Sequence, residues 1–310
     1  MNFAFFFPGQ GSQSLNMMAG FDNMAVVKDT FAEASDVLGQ DLWAMMNTDA
    51  QAINDTINTQ PLMLAAGVAT WRAYQALGGN SPTALAGHSL GEYSALVAAG
   101  SLDFADAVRL VRLRAQLMQE AVPQGAGAMA AILGLDDDAV RAVCAAAEAE
   151  LSGEVAEAVN FNSPGQVVIA GSAAAIARAA ELAKEAGAKR ALPLPVSVPS
   201  HCRLMQPAAA KLATALQNTA FRQPEIRVIH NADVAAHTDI AQIKDALVRQ
   251  LYSPVRWTET VALLVEEGIT ESAECGPGKV LAGLAKRIDK SANCTALTSQ
   301  EHIQAFIDTH

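Results

Sequence analysis

Short apolar runs alternate along this chain with longer segments in which apolar residues recur at the spacing of a helix. The short runs predict strands at residues 3–7, 83–86, 226–230 and 270–274. The longer segments predict helices at about 22–37, 61–77, 90–99, 103–121, 203–218, 239–251 and 255–267, followed by a terminal helical region. Strands that alternate with helices in this way are typical of an α/β fold with a mainly parallel sheet.

The middle of the chain follows a different pattern, which begins after Pro123. Strands are predicted at 129–133, 166–170 and 191–196, and helices at 136–148 and 172–186. Such a β-α-β-α-β unit can close as a small ferredoxin-like α+β subdomain. Prolines cluster between 193 and 199, and because proline cannot donate a ladder hydrogen bond, the last strand is expected at a sheet edge. We therefore predict a discontinuous α/β body at 1–123 and 197–310, with the small subdomain at 124–196.

Residues 87–91 read Gly-His-Ser-Leu-Gly, directly after a predicted strand and directly before a predicted helix. This setting is that of a nucleophile elbow, in which a serine hydroxyl is exposed above a sheet. The two glycines remove side chains that would crowd a sharp turn. We interpret Ser89 as a nucleophile for acyl chemistry, and an ordinary strand-to-helix connection is the alternative.

A serine hydroxyl needs a base to accept its proton, and the chain offers six histidines. His201 follows the proline-rich segment and precedes the helix predicted from 203, with Ser200 as the expected cap. A helix N-terminus disfavours a protonated imidazole, which suits a base that must start neutral. We predict that His201 is the base and that His88, beside Ser89, is a packed structural ring.

The base of a catalytic serine is usually oriented by a third group, most often a carboxylate. Gln250 lies in the last turn of the helix predicted at 239–251, where the final backbone carbonyls have no partner within the helix. Its carbonyl is one candidate for the second N–H of the base. The carboxylates of Asp233 and Glu274 are alternatives, and the residues alone leave the choice open.

Arg114 has an unusual place in the helix predicted at 103–121. A period of 3.6 residues puts the other polar side chains, among them Arg109 and Arg112, on one arc, whereas Arg114 lies nearly opposite, among leucine and methionine. A guanidinium on an apolar face needs an anionic partner. That partner is either a protein carboxylate or the carboxylate of a substrate, which arginine binds well in bidentate geometry.

Acyl transfer also needs two backbone N–H groups that stabilise an oxyanion. Leu90, the residue after the nucleophile, supplies one. The loop at 8–12, Pro-Gly-Gln-Gly-Ser, can bring a second amide close because glycine allows tight backbone approach. The glycines of this loop and of 276–279 match neither a dinucleotide fingerprint nor a Walker loop, so no nucleotide cofactor is expected.

Composition narrows the class of protein. Hydrophobic residues make up 51% of the 310, yet no apolar run reaches the ~18 residues that span a bilayer. A net charge of −11 argues against a nucleic-acid partner. The four cysteines form no C-x-x-C pair, so neither a metal site nor a disulfide framework is expected, and a reducing cytoplasm fits. The apolar start at 1–8 lacks the basic region of a signal peptide and predicts a buried strand.

Six stretches together resemble the malonyl-CoA:acyl-carrier-protein transacylases. They are Phe-Pro-Gly-Gln-Gly-Ser-Gln at 7–13, Gly-His-Ser-Leu-Gly-Glu-Tyr at 87–93, Arg-Ala-Gln-Leu-Met-Gln at 114–119, Asn-Phe-Asn-Ser-Pro-Gly-Gln at 160–166, Pro-Ser-His at 199–201 and Glu-Cys-Gly-Pro-Gly at 274–278. The match runs through nearly the whole chain in order. It implies a hydrolase-like α/β acyltransferase body with an inserted ferredoxin-like subdomain. It also implies an enzyme that transfers malonyl from malonyl-CoA to acyl carrier protein for fatty-acid synthesis.

The resemblance implies a role for each candidate residue. Ser89 is the nucleophile, His201 the base, Arg114 the ligand of the free carboxylate of malonate, Gln250 the backbone carbonyl that orients the base, and Gln10 and Leu90 the oxyanion amides. The stretch at 198–201 resembles the fatty-acid-type enzymes, which favours malonyl over methylmalonyl. The implied reaction is ping-pong through a malonyl-Ser89 ester, with coenzyme A as part of a substrate rather than a cofactor.

Several alternatives and partners accompany this interpretation. A malonyl-loading acyltransferase for polyketide synthesis, a serine thioesterase or hydrolase, and a non-catalytic carrier-binding scaffold are the other functions, and Cys202 is a rival nucleophile. An acidic carrier protein needs a local basic patch on this acidic chain, for which Lys189 and Arg190 are the main candidates, with Lys279, Lys286 and Arg287 nearby; a solvated face is the alternative. We expect a monomer.

Overall fold

The computed structural model describes residues 2–196 and 198–310. Met1 and Ser197, the first residues of the two predicted body segments, lie outside the described residues. The strands are β1 (Phe3–Phe7), β2 (Ala84–Gly87), β3 (Gly127–Leu133), β4 (Ala156–Ser163), β5 (Gln166–Ser172), β6 (Arg190–Pro193), β7 (Arg227–Ile229), β8 (Glu271–Glu274) and β9 (Asn293–Ala296). The α-helices are α1 (Ala25–Leu38), α2 (Leu42–Thr48), α3 (Thr56–Ala76), α4 (Gly91–Ala98), α5 (Phe104–Glu120), α6 (Asp137–Glu150), α7 (Ala173–Glu185), α8 (Gln206–Asn218), α9 (Ile240–Gln250), α10 (Trp257–Glu266), α11 (Val280–Ile288) and α12 (Gln300–Thr309).

The larger sheet is parallel and has the strand order β7-β2-β1-β8-β9. Both of its faces are covered, so β1 is buried along its whole length. Side chains of a strand alternate between the faces: Phe5 packs edge-on against Trp71 of α3, whereas Phe6 packs against Trp257 of α10. The predicted α/β architecture is confirmed, and the carboxyl ends of β1 and β2 lie side by side.

The smaller sheet is antiparallel, has the order β4-β5-β3-β6, and carries α6 and α7 on its apolar face. With β4 included, the unit is β-α-β-β-α-β, which is the ferredoxin-like arrangement. The predicted edge position of the proline-containing strand is confirmed, because β6 pairs only with β3 among the described strands. The boundaries proposed at 123/124 and 196/197 stay a prediction.

Three elements were missing from the sequence-based prediction. The strand β4 contains Asn160 and Asn162, whose side chains favour turns, and its alternation of small and polar residues gives a weak strand signal. The helix α2 has only seven residues, too few for a helical period to stand out. The four-residue strand β9 lies inside the predicted terminal helical region and pairs with β8 at the edge of the large sheet.

The two sheets meet beside the carboxyl end of the parallel strands. The amide of Phe161 in β4 donates to the carbonyl of Val255 over 3.0 Å, and the amide of Val255 donates to Val159 over 2.8 Å. Val255 lies between α9 and α10, so the small sheet is joined to the segment that follows α9. None of the described helices is long and apolar enough to cross a membrane.

Candidate active site

Ser89 lies at the turn between β2 and α4, with a backbone φ of +52°. This left-handed conformation is uncommon for a residue with a side chain and is typical of a nucleophile elbow. A side-chain carbon at Gly87 would overlap the backbone of Gly91, and one at Gly91 would overlap the carbonyl oxygen of Phe7. The predicted elbow is therefore present, and glycine is required at both flanking positions.

His201 lies next to the Ser89 hydroxyl, with Nε2 2.8 Å from Oγ. Its Nδ1 lies 2.7 Å from the backbone carbonyl oxygen of Gln250. Because α9 ends at Gln250, this carbonyl lacks a helical partner and accepts the N–H of the ring. Nε2 is then left without a proton, ready to accept the one from Ser89.

The alternative third members lie elsewhere. The Asp233 carboxylate accepts from Arg249 over 2.7 Å and lies 3.0 Å from Nε2 of His237. The Glu274 carboxylate accepts from the amide of Ala282 at the start of α11. A backbone carbonyl therefore occupies the position that a carboxylate holds in the usual triad.

The neutral state of His201 has a different cause from the one expected. The helix α8 begins only at Gln206, the short 3₁₀ turn before it has no side-chain cap, and the Ser200 hydroxyl points back to Val198. The predicted cap by Ser200 is therefore wrong. Burial of the ring, assisted by the nearby charge of Arg114, lowers the pKa of His201 to about 3.

Arg114 of α5 is buried and faces the nucleophile. Its Nη1 donates to Oε1 of Gln60 over 2.7 Å, and its Nη2 donates to Oε1 of Gln250 over 3.0 Å and to Oγ of Ser89 over 3.2 Å. No carboxylate among the described residues forms an ion pair with it, so the alternative of a structural ion pair is not realised. Burial lowers the pKa of Arg114, and its Nε has no partner within the described part of the chain. A buried cation held only by neutral acceptors is suited to bind an anion.

The loop after β1 lies against the elbow. A side-chain carbon at Gly9 would stand 2.5 Å from the carbonyl oxygen of His88 and 3.7 Å from the amide nitrogen of Leu90. Among the described residues, neither the amide of Gln10 nor that of Leu90 has an acceptor. The loop that carries Gln10 thus lies against the segment that carries Leu90, and both amides are free within the described part of the chain.

The remaining candidates from the sequence are two buried side chains and one exposed basic pair. His88 Nε2 lies 2.8 Å from Oδ1 of Asn162 in β4, and the ring packs beside Trp257, as expected for a structural histidine. The Cys202 thiol donates to the carbonyl of Pro199, and burial raises its pKa to about 12, which disfavours the thiolate. Lys189 and Arg190 are exposed at the start of β6.

Sequence reasoning missed three buried polar residues that support the site, namely Gln60, Glu92 and Asn231. Oδ1 of Asn231 accepts from the amide of Ser89 over 2.8 Å, and its Nδ2 donates to the carbonyl of Gly87 over 2.7 Å. The side chain of Asn231 therefore links the two sides of the elbow, and we call this pair of hydrogen bonds the clasp. The only available signal was a polar residue directly after the predicted strand at 226–230.

Comparisons with known proteins agree with this geometry. Residues 4–299 match the model of the acyl transferase domain. The malonyl CoA-acyl carrier protein transacylase of Salmonella typhimurium is 55% identical over 98% of both chains. The structure of an acyl carrier protein S-malonyltransferase from Vibrio cholerae is 57% identical, covers 99% of this chain and all of its own, and superposes with a TM-score of 0.95.

The chain belongs to the malonyl-CoA:acyl-carrier-protein transacylase family. It is therefore an acyltransferase, and its α/β fold, with a mainly parallel sheet and a small antiparallel sheet, superposes on a solved structure of an acyl carrier protein S-malonyltransferase. A further solved structure, a malonyl-transacylase in complex with its holo type II polyketide synthase acyl-carrier protein, is 52% identical over the whole of both chains with a TM-score of 0.98.

The fold gathers the candidate residues of this site in one place. The described residues contain no cluster of three histidine, cysteine or carboxylate side chains that could hold a metal ion. Five separate parts of the chain contribute to the site, namely the loop carrying Gln10 and the segments carrying Ser89, Arg114, His201 and Gln250. The fold brings all of them to the carboxyl end of β1 and β2.

Proposed function

We propose that this transacylase moves a malonyl group from malonyl-CoA to the phosphopantetheine thiol of an acyl carrier protein, through an ester on Ser89. The observation that carries this proposal is the contact of a buried cation with the nucleophile. Nη2 of Arg114 lies 3.2 Å from Oγ of Ser89, which itself lies 2.8 Å from Nε2 of His201. The hydroxyl of Ser89 therefore contacts both a base, His201, and a cation that can bind a carboxylate, Arg114.

The first half-reaction makes the ester. His201 Nε2 accepts the Ser89 proton while Oγ attacks the thioester carbonyl carbon of malonyl-CoA. The developing oxyanion accepts hydrogen bonds from the amides of Gln10 and Leu90. When the C–S bond breaks, the protonated His201 donates its proton to the departing sulfur, so coenzyme A leaves as the thiol.

The second half-reaction uses the same groups in reverse. His201 accepts the proton of the phosphopantetheine thiol, whose sulfur attacks the ester carbonyl. The same two amides stabilise the second oxyanion. Collapse breaks the bond to Ser89 Oγ, which recovers its proton from His201, and no redox or metal step is needed; we therefore expect no cofactor.

Arg114 supplies the acyl specificity in this proposal. Its guanidinium is buried, and its present partners are neutral oxygen atoms of Gln60, Gln250 and Ser89. A carboxylate can accept two parallel N–H bonds from a guanidinium, which pairs the buried charge. An acetyl group leaves the charge unpaired, so it is transferred less efficiently.

The short distance between Arg114 and Ser89 also limits the length of the acyl group. The free carboxylate must reach the guanidinium while the thioester carbon lies within bonding distance of Ser89 Oγ. Malonyl has a single carbon between the two groups and fits this requirement. Succinyl, with one more carbon, must fold back or displace one of the two contacts.

A basic surface near the site is suited to the carrier protein. The register of the small sheet aligns Gln166 with Leu133 and Leu133 with Arg190, so Gln166 and Arg190 are two strand spacings, about 10 Å, apart. Arg287 of α11 donates to Oε1 of Gln166 over 2.8 Å. Lys189, Arg190 and Arg287 are all exposed and therefore form one patch across both parts of the molecule.

This patch lies at the same end of the small sheet as the active site. Gln166 opens β5, directly after the turn that follows Asn162 and Ser163 of β4, and Asn162 is in contact with His88 at the elbow. We propose that the patch docks the acidic carrier protein while its prosthetic arm enters the site. The enzyme is expected to act as a monomer.

The malonyl group could be transferred to either of two classes of carrier protein. We propose a fatty-acid carrier, because the stretch at 198–201 resembles the fatty-acid-type enzymes. The 52% identical transacylase that binds a type II polyketide synthase carrier supports the polyketide carrier as a second candidate. Rates of malonyl transfer to one purified carrier of each class distinguish the two.

The proposal is tested by one panel of substrates. Purified enzyme is incubated with holo carrier protein and with malonyl-, succinyl-, methylmalonyl- or acetyl-CoA. The acylated carrier protein and the free acid are then quantified by mass spectrometry. We expect malonyl carrier to be the main product. Faster formation of free malonate than of malonyl carrier would instead identify a thioesterase or hydrolase, and equal rates for malonyl and acetyl would exclude the role of Arg114.

A further inference from the structure

A buried carboxylate lies directly behind the catalytic residues. Glu92, three residues after the nucleophile, has no exposed surface. Its Oε2 accepts from the amide of Asn231 over 3.0 Å and from Nε2 of Gln250 over 2.9 Å, and its Oε1 lies 2.6 Å from Nδ1 of His230. It is the one fully buried carboxylate, among the described residues, that contacts groups bonded to Ser89, His201 and Arg114.

Gln250 is the centre of this arrangement. Its backbone carbonyl accepts from His201, its Oε1 accepts from Arg114, and its Nε2 donates both to Glu92 and to the backbone carbonyl of Ser89 over 2.9 Å. Gln250 by itself therefore contacts the base, the arginine proposed to bind the substrate carboxylate, and the nucleophile. Its side-chain amide has two possible orientations, and only one of them presents an acceptor to Arg114.

We propose that Glu92 is a positioning residue for this transacylase. Its carboxylate accepts a hydrogen bond from Nε2 of Gln250, which orients Oε1 of the same amide toward Arg114. It also accepts a hydrogen bond from the backbone amide of Asn231, which positions the side chain of Asn231 at the elbow. This role rests on the proposed function of Ser89, His201 and Arg114.

Geometry supports this assignment on both sides of Gln250. With the amide reversed, an NH₂ group would face the guanidinium, and two donors would be opposed in a buried site, which is costly. The same reversal would place Oε1 against the oxygen of Glu92 and the carbonyl of Ser89. A carboxylate at position 92 excludes this state because it only accepts hydrogen bonds.

The Asn231 arm gives Glu92 a second route to the nucleophile. The amide of Asn231 donates to Glu92, and the side chain of Asn231 holds both the amide of Ser89 and the carbonyl of Gly87. The left-handed conformation of Ser89 is maintained only if the surrounding bonds determine it. Glu92 therefore fixes the position of the nucleophile and of Arg114 relative to each other.

The substitution Glu92→Gln tests this role, because it keeps the shape of the side chain but adds an NH₂ donor among three donors. We expect kcat/KM for malonyl-CoA to fall about 10–100-fold. The ratio of malonyl to acetyl transfer should fall as well, because Arg114 is no longer held in place. The fall in this ratio separates positioning from simple destabilisation, because a smaller folded fraction lowers both transfer rates equally and leaves their ratio unchanged.

Glu274→Gln is the matched control. Glu274 is equally buried, but burial raises its pKa to about 7, and its carboxylate caps α11 rather than contacting Gln250. Glutamine resembles the protonated acid, so this variant should keep both the rate and the malonyl-to-acetyl ratio. An equal loss of rate in both variants, with an unchanged ratio, would overturn the proposal.

Gln250→Met provides a second route if Glu92→Gln does not fold. Methionine retains the backbone carbonyl that orients His201 but removes the amide link between Glu92 and Arg114. The malonyl-to-acetyl ratio should fall as expected for Glu92→Gln. Where both single variants fold, the two changes combined should cost less than the sum of their separate effects. A wild-type ratio in Gln250→Met, or strict additivity, rejects the link. The mass of acylated wild-type enzyme tests the Ser89 ester separately, so failure of the proposed function and failure of this inference give different results.

Discussion

Nη2 of Arg114 donates a hydrogen bond to Oγ of Ser89 over 3.2 Å. The residue that selects the acyl group thus contacts the atom that attacks it. A carboxylate bound to Arg114 competes for the same nitrogen, so its arrival frees the serine oxygen to face His201. It also neutralises part of the charge that lowers the pKa of His201. Both effects favour acyl groups that carry a free carboxylate.

The first prediction concerns this cation. Arg114→Ala should lower kcat/KM for malonyl-CoA at least ~30-fold, because a buried, charge-assisted pair contributes roughly 2–5 kcal/mol. Transfer of acetyl should fall much less, so its relative rate rises. Arg112→Ala is the control, since Arg112 lies on the same helix but donates to Gln40. Equal losses for malonyl and acetyl in Arg114→Ala would remove the carboxylate role.

The second prediction concerns pH. Burial, with the charge of Arg114 as a second cause, lowers the pKa of His201 to about 3. A lowered pKa means that the ring binds its proton only in stronger acid, so the neutral base persists through pH 5. We therefore expect kcat/KM to show no acid limb near 6.5, the ordinary value for histidine.

The same profile has a matched comparison. Arg114→Ala removes the second cause but leaves the burial, so its acid limb should move to higher pH while staying below 6.5. Circular dichroism at each pH separates loss of the base from loss of fold. A wild-type limb with its midpoint near 6.5 contradicts the origin assigned to the neutral base.

The third prediction concerns the clasp on the elbow. Asn231→Ala removes the acceptor of the Ser89 amide and the donor to Gly87. The free energy of unfolding in urea should fall by about 1–3 kcal/mol, because two buried backbone groups lose their partners. The value of kcat should fall too, since Ser89 is held in a strained conformation. Asn293→Ala, which removes only a surface contact with Glu271, should change neither quantity appreciably.

The fourth prediction concerns docking. Reversing Lys189 and Arg190 to glutamate should raise the apparent KM for carrier protein several-fold, roughly 3–10-fold, and this effect should shrink in high salt. The KM for malonyl-CoA should not change. A double reversal of the exposed Lys28 and Lys211 changes the net charge equally and serves as the control. If both double variants behave alike, Lys189 and Arg190 do not belong to the docking surface.

Sequence reasoning located the residues with strong local signals. The Gly-x-Ser-x-Gly turn between a strand and a helix identified Ser89, and helical periodicity placed Arg114 on a buried face. From the residues alone, Gln250 was one of three candidates for orienting the base. The family resemblance favoured it, and the fold shows that the end of α9 meets His201. In that case, the required information was the packing of two distant segments.

Residues whose role depends on contacts with distant parts of the chain could not be identified from the sequence. Glu92 lies in the first turn of α4, where an acidic residue is common for reasons of helix stability alone. Its contacts with Asn231 and Gln250 span 139 and 158 positions. The expected cap by Ser200 failed for a related reason: the local pattern suggested a helix start, whereas the segment passes the base by a left-handed turn at His201, with φ +67°.

The most direct test of this account is the intact mass of the enzyme after brief incubation with malonyl-CoA, followed by peptide mapping and then by addition of holo carrier protein. We predict a gain of one malonyl group, located on Ser89, that disappears when malonyl carrier forms, and no gain in Ser89→Ala. Undiminished transfer by Ser89→Ala, or a malonyl group mapped to another residue such as Cys202, would contradict it.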